Sequence, residues 1–299
     1  MHMNARHLAH SEQGIDVAQP LNATPMPVAQ ENPGVVDSLL HPLAILIRQV
    51  LSRSGRQELD LILIDDEENI IQALDAGVEI HSLYYSGGES LSTELMRNMP
   101  VDVGIYEVAK RTCKKLFEND KVSRVFAIAH PPARMSLDNL LDNRRDIVAL
   151  EDLTISGNIG AIVRTSLAFC VGGIVLLNAE PVDIYDRRII RASRGYIFAL
   201  PVVTASSDEF IRFCRQNDLS ILVMAAQADH LVQEAASLAM RLVILFGSEK
   251  EGSSQTFMNA ATLQVQIPTN SKVESLNVST AAGIMLYNRL WFNHPQAER

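Results

Sequence analysis

The chain has 299 residues, 47% of them hydrophobic, which is enough for two ordinary domains with a core each. Its formal charge of −9 argues against a protein that holds nucleic acid by uniform basicity, and no apolar run approaches the ~18 residues of a membrane span. Cys113, Cys170 and Cys214 are isolated and lack CxxC spacing, which argues against a disulfide framework or a zinc site and fits reduced thiols in the cytoplasm.

Residues 1–33 carry Pro20, Pro25, Pro27 and Pro33 among small and polar residues, and a flexible tail without a secretory leader is expected there. Beyond it the pattern alternates. Apolar residues at helical spacing predict a helix over 36–53, a strand over 59–64, and a helix over 67–76 stopped at Gly77. A strand over 78–85 follows, then the Ser86-Gly-Gly88 loop, a helix over 92–98, a strand over 101–105, a basic helix over 107–117 and a strand over 124–129. These elements describe a small α/β domain over 34–130. Pro131 and Pro132 then break the periodicity and open a linker over 131–145.

The remainder, 146–299, begins with the continuous apolar run 147–150, of the buried-strand type. Helices are predicted over 158–169, 184–193, 209–216 and about 231–240. Strands are predicted over 173–177, 200–203, 221–224, 242–246 and 263–267. Strands alternating with crossover helices require a mostly parallel sheet with helices on both faces. After Pro268 comes a polar loop over 269–274, then a last helix whose first turn is expected to carry Ser275, Leu276 and Asn277. A strand, a loop and a helix N-terminus in succession make a natural ligand site at the carboxyl edge of such a sheet.

The common phosphate, dinucleotide, zinc-protease and serine-hydrolase motifs are missing. A pocket must come from loops instead, and Gly247 and Gly252 bracket one whose backbone can close on a flat ring without an intervening Cβ. Two positive clusters stand out against the acidic whole. One holds Lys110, Arg111, Lys114, Lys115, Lys121 and Arg124; the other holds Arg187, Arg188, Arg191 and Arg194. Either could be a solvated helix face or a phosphate-binding surface.

Three stretches in order carry a resemblance: Asn158-Ile-Gly-Ala-Ile-Val-Arg164-Thr, Leu245-Phe-Gly-Ser-Glu-Lys-Glu-Gly252, and the run from Ile267 to Tyr287. They resemble the three signatures of the SPOUT methyltransferases, in the branch that methylates RNA ribose 2′-oxygens. Lys250, Thr269 and Ser271 depart from the general pattern. With Asp186-Arg-Arg-Ile-Ile-Arg-Ala-Ser-Arg-Gly195, they make the chain similar to the thiostrepton-resistance rRNA methyltransferases.

The resemblance implies a C-terminal SPOUT domain with a deep trefoil knot, and a small N-terminal domain of the ribosomal-protein-like RNA-binding kind. It implies S-adenosylmethionine held by Met224, Gly247, Ile267 and Leu276, and no metal. Arg164 would orient and activate the ribose hydroxyl, with Asn158, Glu249, Ser275 and Asn277 as the polar remainder and Glu249 expected to fix Arg164 or the knot loops. RNA contacts are expected from Lys110, Arg111, Lys114, Lys115 and Arg134, and from Arg191 and Arg194 across a homodimer interface. The implied partner is large-subunit rRNA, methylated on an adenosine ribose where thiostrepton-type antibiotics bind. A tRNA or another rRNA site, or an RNA-binding dimer without catalysis, are the alternatives.

Overall fold

The computed structural model describes residues 34–118, 120–178 and 183–293. The expected flexible tail lies outside them.

The N-terminal half builds a four-stranded sheet. The long helix expected over 36–53 is instead two helices, α1 (Pro42–Leu51) and α2 (Arg53–Leu59). Pro42 occupies the start of α1, where its missing N–H costs nothing, and Val36 pairs as an isolated bridge with Val108. Ser52 ends α1 and caps α2, its hydroxyl accepting from the Gly55 N–H at 3.1 Å. Then come β1 (Ile62–Asp65), α3 (Glu67–Asp75), β2 (Ile80–Ser86), α4 (Thr93–Asn98), β3 (Gly104–Val108), α5 (Lys110–Leu116) and β4 (Val125–Ala129). The sheet order is β1-β4-β2-β3, with β2 and β3 parallel. That pairing sets Ser86 opposite Val108, so the strand expected at 101–105 lies three residues later and the basic helix starts at Lys110 rather than at 107.

The second half gives β5 (Ile147–Glu151), α6 (Ser156–Ala168), β6 (Gly173–Leu177), α7 (Arg187–Ala192), β7 (Val202–Ala205), α8 (Ser207–Gln216) and β8 (Ser220–Met224). It continues with β9 (His230–Leu231), α9 (Val232–Ala236), β10 (Leu242–Phe246), α10 (Gln255–Ala260), β11 (Leu263–Gln266) and α11 (Val278–Asn293). Its seven strands run β7-β6-β5-β10-β8-β11-β9, every neighbouring pair parallel. The short β9 and α10 were not anticipated, and the helix expected over 231–240 shrinks to five residues.

Alternation along the strands divides the core. Val148, Leu150, Ile174, Leu176, Leu222 and Ile244 pack with residues of α6, α7, α9 and α11, whereas Ile147, Ala149, Val175, Ile221 and Val243 pack with α8 and α10. The first cluster continues into the N-terminal half through Ile62, Ile64, Ile70, Leu83 and Ala127, so one hydrophobic layer joins the two sheets. Phe126, Ile128 and Tyr84 point the other way, under α1 and α5. Among the described residues no helix is long and apolar enough to cross a membrane.

Candidate active site

Because β5, β10, β8 and β11 are parallel neighbours, their ends at Glu151, Phe246, Met224 and Gln266 share one edge of the sheet. The loop 247–254, the loop 267–277 and the start of α6 all leave from that edge.

The loop after β10 is closed on itself. Ser248 and Gly252 exchange backbone hydrogen bonds of 3.0 and 3.1 Å, and the Glu251 N–H donates to the Ser248 hydroxyl at 3.1 Å. Gly252 sits at φ +71, and a Cβ on Gly247 would lie 2.2 Å from the Gly252 carbonyl carbon and the Ser253 nitrogen. Only glycine satisfies both positions. The loop is moored by Glu151, a carboxylate only 2% exposed, which accepts from the Ser254 N–H at 2.9 Å. Beside it the Ser253 hydroxyl oxygen is buried without a hydrogen-bond partner. The chain thus presents a backbone cradle with one unsatisfied polar atom, which is the character of a site completed by a ligand.

A side-chain relay ties the three loops together. Asn158, in the first turn of α6, donates from Nδ2 to Glu249 Oε1 at 2.8 Å, and its Oδ1 accepts from Asn277 Nδ2 at 3.2 Å. Asn277 Oδ1 in turn accepts from the Ser279 N–H at 2.9 Å and the Ser279 hydroxyl at 2.6 Å. Ser275, Leu276 and Asn277 therefore precede the last helix instead of forming its first turn, and Asn277 works as its cap. Of the two roles expected for Glu249, its bond to Asn158 ties the loop to α6, and it does not reach Arg164.

Arg164 stands apart from this relay. Six residues along α6 place it ~9 Å further down the axis and ~120° around from Asn158. Its side chain is exposed and has no hydrogen-bond or ion-pair partner among the described residues. Met224, Ile267 and Leu276 are half-buried at the sheet edge, the first two packed against the main core, and Ser275 is exposed. A surface cleft of about 570 Å³ lies elsewhere, along the β9 edge between Gln227 and His230 on one side and Thr262 to Gln266 on the other.

The two basic clusters differ. Lys110, Arg111, Lys114 and Lys115 on α5, like Arg134, project into solvent. Arg191, expected to reach RNA, is instead held within the chain by Asp65 and Asp120, both at 3.2 Å. Arg194 at φ +54 pairs with Glu68 at 3.0 Å, more than half exposed on both sides and so weakly held. Tyr196 and Phe198 are half-buried, and Phe198 stacks on Tyr185 at 5.8 Å. Glu151, Ser253, Ser254 and Ser279 escaped the sequence reading. Only Glu151 carried a signal, as a carboxylate closing an apolar strand.

Residues 146–287 match the SpoU rRNA Methylase family and residues 33–143 match the family described as Thiostrepton-resistance methylase, N terminus. A 23S rRNA (adenosine(1067)-2'-O)-methyltransferase of Streptomyces azureus is 36% identical over 85% of this chain and 96% of its own length. The enzyme of the same description from Streptomyces laurentii is 38% identical over 80% and 89%. The crystal structure of an AdoMet-bound rRNA methyltransferase from Sinorhizobium meliloti superimposes with a TM-score of 0.74 at 25% identity, covering 89% of this chain and 99% of that one.

Proposed function

The chain belongs to the SpoU rRNA methylase family, and on that premise we propose that it transfers a methyl group from S-adenosylmethionine to the 2′-hydroxyl of an adenosine in large-subunit rRNA. The observation that carries this reading is the Asn277–Asn158–Glu249 relay, which holds three loops around the Gly247 cradle while Arg164 has no partner among the described residues. The cradle suits the cofactor: Gly247 lets the loop fold back tightly on its own backbone at Gly252 and Ser253, the Ser253 hydroxyl lacks a partner, and Met224, Ile267 and Leu276 supply apolar walls. When bound, S-adenosylmethionine supplies an electrophilic methyl carbon on a sulfonium.

The protein's own part is positioning and charge. A guanidinium stays protonated at any working pH, so Arg164 is no base; it stabilises negative charge developing on the ribose 2′-oxygen and anchors the neighbouring phosphate. The hydroxyl proton leaves to water as the new O–C bond forms. Ser275 and Asn277 order the edge of the site, and Asn158 keeps Glu249 turned toward the first turn of α6. The threading of α11 through the loop after β10 is part of the same reading, supported by the packing of α11 on α6 and α9 and by the hydrogen bond between Asn277 and Asn158.

A homodimer belongs to the proposal as well. Tyr287, Trp291 and Phe292 on α11 are 53%, 62% and 46% exposed, an aromatic ridge suited to a second copy, and Arg194 with its weak pairing is the residue offered to the partner's RNA. The α5 cations and Arg134 meet the folded RNA backbone. The product would bear bulk in place of a hydrogen-bond donor where thiostrepton-type antibiotics dock, and resistance follows. The test is transfer of labelled methyl to a GTPase-centre hairpin beside the same hairpin with 2′-deoxyadenosine at the target. Label on the first alone supports the reading; label on tRNA instead moves the substrate; label on no RNA overturns the enzyme.

A further inference from the structure

Helix α7 touches both halves of the protein. Toward the catalytic edge it lies directly on α6: a Cβ on Gly160 would stand 2.4 Å from the Ala192 Cβ and 2.8 Å from the Ser193 nitrogen. Toward the N-terminal sheet it extends Arg187, which is 6% exposed. That guanidinium makes two parallel bonds of 2.8 Å to the Asp65 carboxylate at the end of β1, where Asp65 is 1% exposed. It also donates to the Lys121 carbonyl at 3.0 Å, reaches Asp120 at 3.4 Å, and lies 4.7 Å over the Phe117 ring. Phe117, Asp120 and Lys121 belong to the segment that leaves the basic helix α5. Arg191 adds bonds to the same two aspartates, and Arg56 pairs with Asp183 at 2.8 Å just ahead of α7.

A buried ion pair adds little net stability compared with apolar side chains of the same volume, because desolvation offsets the attraction. What it does impose is one geometry, since a planar guanidinium meets a carboxylate and a carbonyl in only one orientation. We propose that Arg187 is a positioning residue for substrate RNA: it fixes the basic helix α5 relative to α6, so that RNA gripped by Lys110, Arg111, Lys114 and Lys115 presents its target ribose to Arg164. The proposal rests on the methyl-transfer reading and adds a distance rule to it.

The experiment compares wild type, Arg187→Met and Arg187→Lys on the full hairpin and on an RNA trimmed to the target loop, with S-adenosylmethionine affinity measured alongside. Arg187→Met should raise KM for the full hairpin by about tenfold or more and leave kcat and the trimmed RNA within about twofold. Arg187→Lys, keeping charge without the fork, should fall between. Cofactor affinity should not change. An unchanged KM, or equal losses on both RNAs, overturns the proposal.

A spin-label pair at the exposed Cys170, which closes α6, and at Lys114→Cys reads the geometry directly. One narrow distance in the wild type should broaden in Arg187→Met, and a distribution that stays narrow refutes the positioning role. Should Arg187→Met fail to fold, Asp65→Asn carries the same comparisons. If the wild type labels neither RNA, the methyl-transfer reading fails, while the spin-label distances still decide whether Arg187 holds α5.

Discussion

Asn158→Asp is the sharpest perturbation of the relay, because it changes one atom and no volume. The wild-type Nδ2 donates to Glu249 at 2.8 Å; the introduced carboxylate would place a second negative oxygen there. Two unit charges at that separation repel by about 6 kcal/mol at an effective dielectric of ~20. The pair escapes by sharing a proton, which near pH 7.5 costs about 5 kcal/mol, at about 1.4 kcal/mol for each unit above an ordinary carboxyl pKa of ~4. Both groups are only half-buried, so the loop can also swing outward, and the net loss should settle at about 2 to 3 kcal/mol.

That corresponds to a fall of about 30- to 150-fold in kcat/KM for hairpin methylation, measured with labelled cofactor. The sign with pH follows: the shared proton is present in acid and lost as pH rises, so the defect should shrink between about pH 8 and pH 5.5. Adding Glu249→Gln to Asn158→Asp restores a donor opposite the carboxylate and should recover most of the loss at pH 7.5. Wild-type rates for the single variant, or no rescue by the second substitution, would refute the relay as the organiser of the site.

Gly247→Ala inserts a methyl 2.2 Å from the Gly252 backbone, an overpacking of about 1–3 kcal/mol, and titration calorimetry should find S-adenosylmethionine affinity down by at least about tenfold. Arg164→Ala breaks no hydrogen bond or ion pair among the described residues, so kcat should fall by about 10²- to 10³-fold while thermal unfolding and cofactor affinity stay as in the wild type. Arg289, 4% exposed, binds Asp146 at 2.7 and 3.3 Å and the Ala236 carbonyl; Arg289→Met leaves that carboxylate without its cation and should cost about 3–5 kcal/mol in urea unfolding. At Asp120 burial pushes the carboxyl pKa up, but the Lys121 amide and the Arg187 and Arg191 charges outweigh it and hold the value below the ordinary 3.8. Asp120 therefore adds stability above its unfolded pKa that is lost as pH falls through the lower folded one. Asp120→Asn should flatten that acid arm in urea titrations below about pH 4.

The strands at 173–177 and 242–246 stand in the structure where their apolar runs put them, because a strand buried on both faces needs only a short unbroken apolar run. The periodicity that predicts one helix over 36–53 runs on through Pro42 and Ser52, whose local chemistry starts and splits helices, so the segment forms two. β3 lies three residues beyond its predicted span because pairing with β2, a long-range choice, sets its register. At the site, Asn158, Glu249 and Asn277 could be picked out by residue type and motif, but not who bonds to whom. An amide or a carboxylate has several possible partners until the chain closes.

The layers, the glycine cradle at 247–252, the polar residues of the three loops and the two clusters of cations are all readable along the chain. Composition, period and the absence of a Cβ are local properties, legible one segment at a time. That Asn158 and not Arg164 meets Glu249, and that Arg164 has no partner among the described residues and sits on another face of α6, follows from how distant segments meet. The same closure gives the two basic stretches different ends. The α5 cations face solvent, while Arg187 and Arg191 are committed to Asp65 and Asp120, acids 67 to 126 residues away in the chain. A charge in a sequence carries its sign, but its partner is set by which surfaces the fold brings into contact.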